Sequence, residues 1–230
     1  MRKKLDAVIF DVDGLILDSE LFYAQAWADS FNNFSPEKYR VDKEFMVDWY
    51  FENLAGKRIF DQLNMIQEKF KNNDIPKIYA EYCKLFRARL ITDSIPVREG
   101  FFELLNYLKS HNVRLAIVSS SELDVIKNSF NNTNVDISDF EIIVSGDIVS
   151  KRKPNPEPYL KGCELLNVDK TNIIVLEDSE SGVLSATNAN LDCYLIRGRV
   201  PVSDVVKAKT CRVCNNLSEM IPSLEREYLI

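Results

Sequence analysis

The sequence predicts an α/β protein: a doubly wound parallel sheet with an all-helical segment inserted after its first strand. Three observations carry that expectation. From about residue 95 onward, short apolar runs alternate with amphipathic helical stretches, the rhythm of a parallel sheet whose crossovers are helices. Near the N-terminus, Leu5–Phe10 is apolar except for Asp6 and stops abruptly at Asp11-Val12-Asp13-Gly14; a short apolar run ended by a glycine turn reads as a buried strand. Between about residues 17 and 92 strand patterns are absent. The expected division is an α/β core, residues 1–16 and 94–230, interrupted by a helical domain over 17–93.

In the inserted segment, Leu21, Phe22, Ala24, Ala28 and Phe31 fall at helical spacings over Ser19–Phe31, with Trp27 among them. Ser35-Pro36-Glu37 offers a cap residue and a first-turn proline, a helix start. Further helices are expected near 43–52, 58–72 and 76–91. Leu54-Ala-Gly-Lys-Arg58 is a glycine loop with two adjacent cations. It reads either as a solvated turn or as a loop over the site, where Lys57 or Arg58 meets an anion of the substrate.

The α/β rhythm resumes at Ile95-Pro96. A helix over Arg98–Ser110 puts Phe101, Leu104, Leu105 and Leu108 on one side. The strand Arg114–Ser119 runs into Ser120-Ser121-Glu122 and a helix to about Phe130. Free N–H groups and the dipole at such a helix start favour an anion, while Ser121 suits the cap position. Glu141–Gly146 is a strand, followed by Lys151-Arg-Lys-Pro154-Asn-Pro156-Glu-Pro158, a loop stiff enough to hold its cations in place. A helix over Glu157–Leu166 leads to the strand Asn172–Glu177, again apolar and ending in acids, Glu177 and Asp178. A helix from Ser179 to about Ala189 and a strand Cys193–Gly198 follow, with weaker patterns beyond.

Composition narrows the classes of function. At 46% hydrophobic and 28% charged residues the chain has ordinary globular composition. Its net charge of −6 disfavours nucleic acid or an anionic membrane as partner, while leaving room for a small anion in a local basic pocket. No apolar run has membrane-spanning length and no signal-peptide pattern opens the chain, so a cytoplasmic protein, monomeric by preference, is expected. Five scattered cysteines suggest reduced thiols. Cys211 and Cys214 have C-x-x-C spacing without the second pair or nearby histidine that a zinc site needs. The one histidine, His111, ends a helical stretch, which suits a surface position better than a Ser-His-Asp arrangement.

The strand ends carry the chemistry. Asp11 and Asp13 bracket one residue, so an extended backbone aims both carboxylates the same way. Close like charges call for a divalent cation or a shared proton. That arrangement suits a nucleophilic carboxylate beside a second carboxyl that handles protons. In an open α/β sheet, ligands bind at the carboxyl ends of strands. Asp11 and Asp13, Ser119, the lysine–proline loop, and Glu177 with Asp178 would all meet there: acids for Mg²⁺, hydroxyl, amide and lysine for a phosphate. The chemistry they imply is phosphoryl transfer to a carboxylate followed by hydrolysis.

In order and spacing, Asp11-Val-Asp13-Gly14, the strand ending at Ser119, Lys153-Pro154 and Glu177-Asp178 resemble the four motifs of the haloacid dehalogenase superfamily. The helical insertion resembles its β-phosphoglucomutase-like branch. The resemblance implies a Rossmann-like core with a helical cap. It implies Asp11 as nucleophile and metal ligand, and Asp13 as general acid/base with its backbone carbonyl on the metal. Ser119 and the Ser120 N–H would bind the transferring phosphoryl group, Lys153 would neutralise Asp11 and the phosphate, and Asp178 with Glu177 would complete the Mg²⁺ shell. Two departures bear on activity: mutases of this branch carry a histidine where Tyr23 stands, and the arginine of a G-x-x-R cap loop where Ile59 stands. The expectation is a Mg²⁺-dependent phosphatase of a small phosphorylated metabolite, a sugar or polyol phosphate. A sugar phosphomutase is the alternative, and a catalytically inactive binding protein the alternative from another class. Dehalogenation is disfavoured because Asp13 is present.

Overall fold

The computed structural model describes residues 2–37, 40–57, 59–71 and 73–229. In chain order these hold β1 (Lys3–Lys4), β2 (Ala7–Phe10), α1 (Glu20–Phe34), α2 (Lys43–Asn53), α3 (Ile59–Lys69), α4 (Ile75–Thr92), α5 (Phe101–Ser110), β3 (Arg114–Val118) and α6 (Leu123–Phe130). Then come β4 (Ile142–Val144), α7 (Glu157–Leu166), β5 (Ile173–Glu177), α8 (Glu180–Asn188), β6 (Asp192–Ile196), α9 (Asp204–Lys207), β7 (Arg212–Cys214), α10 (Met220–Glu227) and β8 (Tyr228–Leu229).

A parallel six-stranded sheet runs in the order β4-β3-β2-β5-β6-β7. The chain winds outward from β2 to one edge, then returns to build the other half, so the sheet reverses direction beside β2. A crevice opens at such a point.

Every second residue faces the same side of a strand, and the two apolar clusters divide accordingly. Val8, Phe10, Leu115, Ile117, Ile174 and Leu176 join α5, α6 and α10 in one cluster. Ala7, Ile9, Ala116, Val118, Ile173 and Val175 join α7, α8 and α9 in the other. Continued one step, the second set reaches Asp11 and Glu177. Phe10 pairs with Leu176, so these two acids leave adjacent strands at the same level and on the same side.

Between residues 17 and 93 the described chain forms α1–α4 around a separate cluster that includes Trp27, Phe31, Met46, Trp49, Leu54 and Ile66. The Trp27 ring stacks on Tyr82 at 4.2 Å. Two linking segments join this insert to the sheet and lie side by side: Asp18 N–H donates to the Pro96 carbonyl and Arg98 N–H to that of Ile16, both at 2.8 Å.

Several expectations change in detail. The helix start at Ser35-Pro36-Glu37 runs into Lys38 and Tyr39, outside the described residues. Ser35 ends α1, and α2 begins later, its Phe45 N–H bonded to the Asp42 carboxylate at 3.0 Å. Ser121 does not cap α6. Glu122 holds that position without a side-chain bond, and Asp147 from the neighbouring loop accepts from Leu123 N–H at 3.1 Å. The sheet also has a sixth strand, β7, and a small β1–β8 pair, both too short to show a period in sequence. Cys214 is buried in β7, and all five cysteines are free. His111 ends α5 on the surface, its Nδ1 2.8 Å from the Tyr107 carbonyl. Among the described residues no helix is long and apolar enough to cross a membrane.

Candidate active site

The centre of the site is the ammonium of Lys153. It donates to Asp11 Oδ1 at 2.6 Å, Glu177 Oε1 at 2.6 Å and the Val118 carbonyl at 2.9 Å, so all three of its hydrogens are used. The register of β2 against β5 supplies the two acids, and β3 between β2 and β4 supplies the carbonyl. The loop before α7 brings the lysine, which is 7% exposed. Burial alone would depress its ammonium, but Asp11 and Glu177 outweigh burial and raise it above its ordinary value.

Glu177 is fully buried and saturated with donors. Besides Lys153, Tyr159 Oη donates to Oε1 at 2.6 Å, while Asp178 N–H and the Ser179 hydroxyl donate to Oε2 at 3.1 and 3.0 Å. It was expected to share metal ligation with Asp178. Its carboxylate lies in the same acidic cluster, with Oε1 accepting from the lysine and Oε2 from the start of α8.

Asp178 is the opposite case. Its Oδ1 is buried without any partner, although the carboxyl sits with those of Asp11 and Glu177, ligand atoms within 4.8 Å of one another. Burial first, then the charges of Asp11 and Glu177, push Asp178 well above the usual carboxylate range. Asp11 is pushed up to about 8, chiefly by burial, against the pull of Lys153. Three buried acids share one cation, and one oxygen is left over. That donor set, hard oxygens with excess negative charge, fits a divalent ion such as Mg²⁺ held by Asp11 and Asp178. Glycine makes room for Asp178: a Cβ at Gly14, where φ is +86°, would lie 2.1 Å from its Oδ2, a clash in a conformation L-residues avoid.

Asp13 is gripped by hydroxyls. Tyr23 Oη and Ser19 Oγ donate to Oδ1 at 2.6 and 3.0 Å, and Ser121 Oγ to Oδ2 at 2.7 Å. Ser121, read from sequence as a helix cap, therefore serves the acid. Tyr23 reaches it from the insert. Ser119 is buried and its Oγ accepts from the Ser121 N–H at 3.0 Å, while Ser120 is exposed on the adjoining wall.

Asp11, Asp13, Ser119, Ser120, Lys153 and, from the insert, Lys57 line one cleft of about 890 Å³ between sheet and insert, while Asp178 lines an adjoining one. The Lys57 ammonium donates to the Asn53 carbonyl at 2.6 Å, which fastens the end of α2. Arg58 lies outside the described residues. The cleft wall also holds Glu20, Tyr50, Tyr82 and Arg152, which the sequence reading did not select. Glu20 and Tyr23 are three apart in α1 and so share a helix face, a signal present in the sequence. Tyr50 gave none, since only tertiary packing brings its hydroxyl within 2.8 Å of Glu20.

Two outcomes follow from this geometry. Gly182 opens α8 against Glu177, and a Cβ there would lie 1.8 Å from Oε1. Gly182→Ala is expected to displace the lysine anchor and lower stability by about 1–3 kcal/mol, read by urea unfolding, with loss of activity beyond the loss of folded protein. Glu20 is pushed up to about 6 from an ordinary 4.5, mainly by burial, opposed by the Tyr50 hydrogen bond and helped by Asp13 and Asp18. A raised acid favours the folded state when protonated, so its contribution is complete below 4.5 and lost as pH rises through 6. In metal-free protein Glu20→Gln is expected to stabilise by about 2 kcal/mol near neutral pH, the gain vanishing at acid pH in urea titrations. A pH-independent difference would contradict this.

Known proteins share this fold. The family model for haloacid dehalogenase-like hydrolases matches residues 8–196. A phosphorylated carbohydrates phosphatase from Thermotoga maritima is 27% identical over 188 residues, covering 82% of this chain and 83% of that protein. The crystal structure of CbbY from Rhodobacter sphaeroides in complex with phosphate superposes with a TM-score of 0.77 at 23% identity, over 96% of this chain and 99% of that one. A β-phosphoglucomutase from Clostridium difficile does so at 0.71 and 22%, over 97% and 96%; both show a common fold. With four-fifths of its length matched, from within β2 to the end of β6, the chain belongs to the haloacid dehalogenase-like hydrolases.

Proposed function

We propose that this hydrolase is a Mg²⁺-dependent phosphatase of a small phosphorylated metabolite, a sugar or polyol phosphate, working through an aspartyl-phosphate on Asp11. The observation that carries the reading is the Lys153 ammonium shared between Asp11 and Glu177 at 2.6 Å each, beside the partnerless Asp178 oxygen. A carboxylate oriented by a buried lysine, with a second acid one residue past its neighbour, is equipped for nucleophilic displacement.

In this scheme Asp11 attacks phosphorus through the oxygen that Lys153 leaves free. The P–O bond to the metabolite breaks, and the departing oxygen takes a proton from Asp13. Asp13, now a carboxylate, removes a proton from the water that hydrolyses the aspartyl-phosphate, and Asp11 is restored. The hydroxyls of Tyr23, Ser19 and Ser121 hold Asp13 to one position. Ser119 and the Ser120 N–H receive the phosphoryl oxygens, and Lys153 balances their charge. Asp11, Asp178 and the Asp13 carbonyl would hold Mg²⁺, whose charge draws the phosphate in and offsets repulsion between it and the nucleophile.

Residues 17–93 act in this reading as a cap over the core of 1–16 and 94–230, excluding water and choosing the substrate. Glu20, Tyr23, Tyr50 and Tyr82 give the cap side of the cleft the mixed aromatic and hydrogen-bonding surface that suits a hydroxyl-rich molecule. The carbohydrate phosphatase relative supports the same substrate class. Lys57, and Arg58 from outside the described residues, are the cap cations for an anionic substituent.

Asp11→Asn is expected to lower turnover of p-nitrophenyl phosphate by at least about a thousandfold with an unchanged circular dichroism spectrum; a retained rate would remove Asp11 from the covalent step. EDTA is expected to abolish activity and excess Mg²⁺ to restore it, followed by release of inorganic phosphate from a panel of sugar phosphates. Conversion of a sugar 1-phosphate to its 6-phosphate without net phosphate release would identify a mutase.

A further inference from the structure

The loop that leaves β6 touches three separate parts of the molecule through three consecutive residues. At Gly198 the backbone runs against the acid cluster: a Cβ there would lie 2.7 Å from Asp178 Oδ2. Arg199 grips the first linking segment, its Nε donating to Asp18 Oδ1 at 2.7 Å and Nη2 to Oδ2 at 2.6 Å. Val200 then packs into the insert. Among the described residues it is the one residue outside 17–93 packed against the insert's apolar cluster. Its Cγ1 lies 3.5 Å from where a Cβ on Gly56 would be, ordinary van der Waals contact.

Beside that contact a cleft of about 400 Å³ is lined by Ala55, Gly56, Val200 and Pro201 on one side and by Asp13 and Asp178 on the other. It is a flank of the active site, narrowed where loop 54–57 meets Val200. Moving the insert off Val200 would widen it and admit water to the acids.

We propose that Gly198-Arg199-Val200 is a latch that seats the helical insert over the reacting groups. Val200 is the positioning residue that keeps loop 54–57 against the core. Arg199 sets the direction in which the chain leaves the core at Asp18. An exposed ion pair generally contributes little to stability. A two-pronged guanidinium–carboxylate pair does fix an angle, and here the angle is that of a linker. The Val200 contact is also small enough to break and remake in each catalytic cycle, beside the larger seam where Phe22, Phe86 and Leu90 of the insert pack into the sheet-side cluster. The inference rests on residues 17–93 moving as a cap, and its test has a readout that does not require phosphatase activity.

The test compares full-length wild type, Val200→Asp, Val200→Ala, Asp18→Arg, Arg199→Asp and the reversed pair D18R/R199D. Amide hydrogen exchange over 54–57 is measured alongside steady-state hydrolysis of p-nitrophenyl phosphate with Mg²⁺. Val200→Asp is expected to speed exchange at 54–57 by about tenfold or more, leaving β2 and β5 unchanged, and to raise KM more than it lowers kcat. Each single charge change should act in the same direction, and the reversed pair should recover to within about threefold of wild type. If Val200→Asp also loosens the strands, Val200→Ala carries the judgement. Unchanged exchange at 54–57 in the Val200 variants, or a reversed pair no better than its worse parent, overturns the latch. Wild-type protein that never hydrolyses the ester would count against the phosphatase reading, while the exchange data still decide the latch.

Discussion

One buried cation organises this molecule. The Lys153 ammonium sits between the carboxylates of Asp11 and Glu177 with its third hydrogen on a strand carbonyl. Removing the lysine would leave buried acids without their cation, a loss of about 3–5 kcal/mol. The sheet, the loop before α7 and α7 itself, through the Tyr159 hydroxyl, are therefore tied together at a single point. The same ion pair that closes the structure also orients Asp11 at the mouth of the crevice. Glu177, fully buried, ties that pair to β5 and α7.

The rest of the acid cluster works against folding. Asp11 and Asp178 are buried, both are driven upward in pKa by that burial, and Asp178 keeps an oxygen with no partner. Such an arrangement would be selected against in a core that had only to be stable. It persists beside glycines at 14 and 198 whose missing side chains make room for it. Strain of this kind, tolerated because the surrounding sheet is over-determined, is characteristic of sites that await a charged ligand.

The insert is connected to this chemistry by few but direct contacts. Tyr23 crosses from α1 to Asp13, and Val200 crosses the other way into the insert's apolar cluster. Between them the two linking segments run in contact, bonded backbone to backbone. Asp13 and the flank of the cleft beside Val200 are therefore both bordered by side chains of the insert.

The architecture was largely legible in the amino-acid order. Apolar runs such as Val8–Phe10 and Ile173–Leu176 are buried on both faces and so are continuous in sequence, and the acids that follow them mark where each strand ends. That pattern also singled out Asp11, Asp13, Ser119, Lys153 and Asp178, which the structure brings to one end of the sheet. Segments of two or three residues, β1, β7 and β8, escaped notice because so few positions establish no period. Roles were less readable than positions. Whether Glu177 faces a metal or a lysine, and whether Ser121 caps a helix or holds Asp13, depends on which side chains arrive from elsewhere in the chain. Tyr50, Tyr82 and Val200 carry no local mark at all. Periodicity and strand-end composition are properties of neighbouring residues, so the sequence by itself determined the layers and the reacting groups. Hydrogen-bond partnership across about 25 to 140 residues is decided by packing, and only the tertiary structure assigned it.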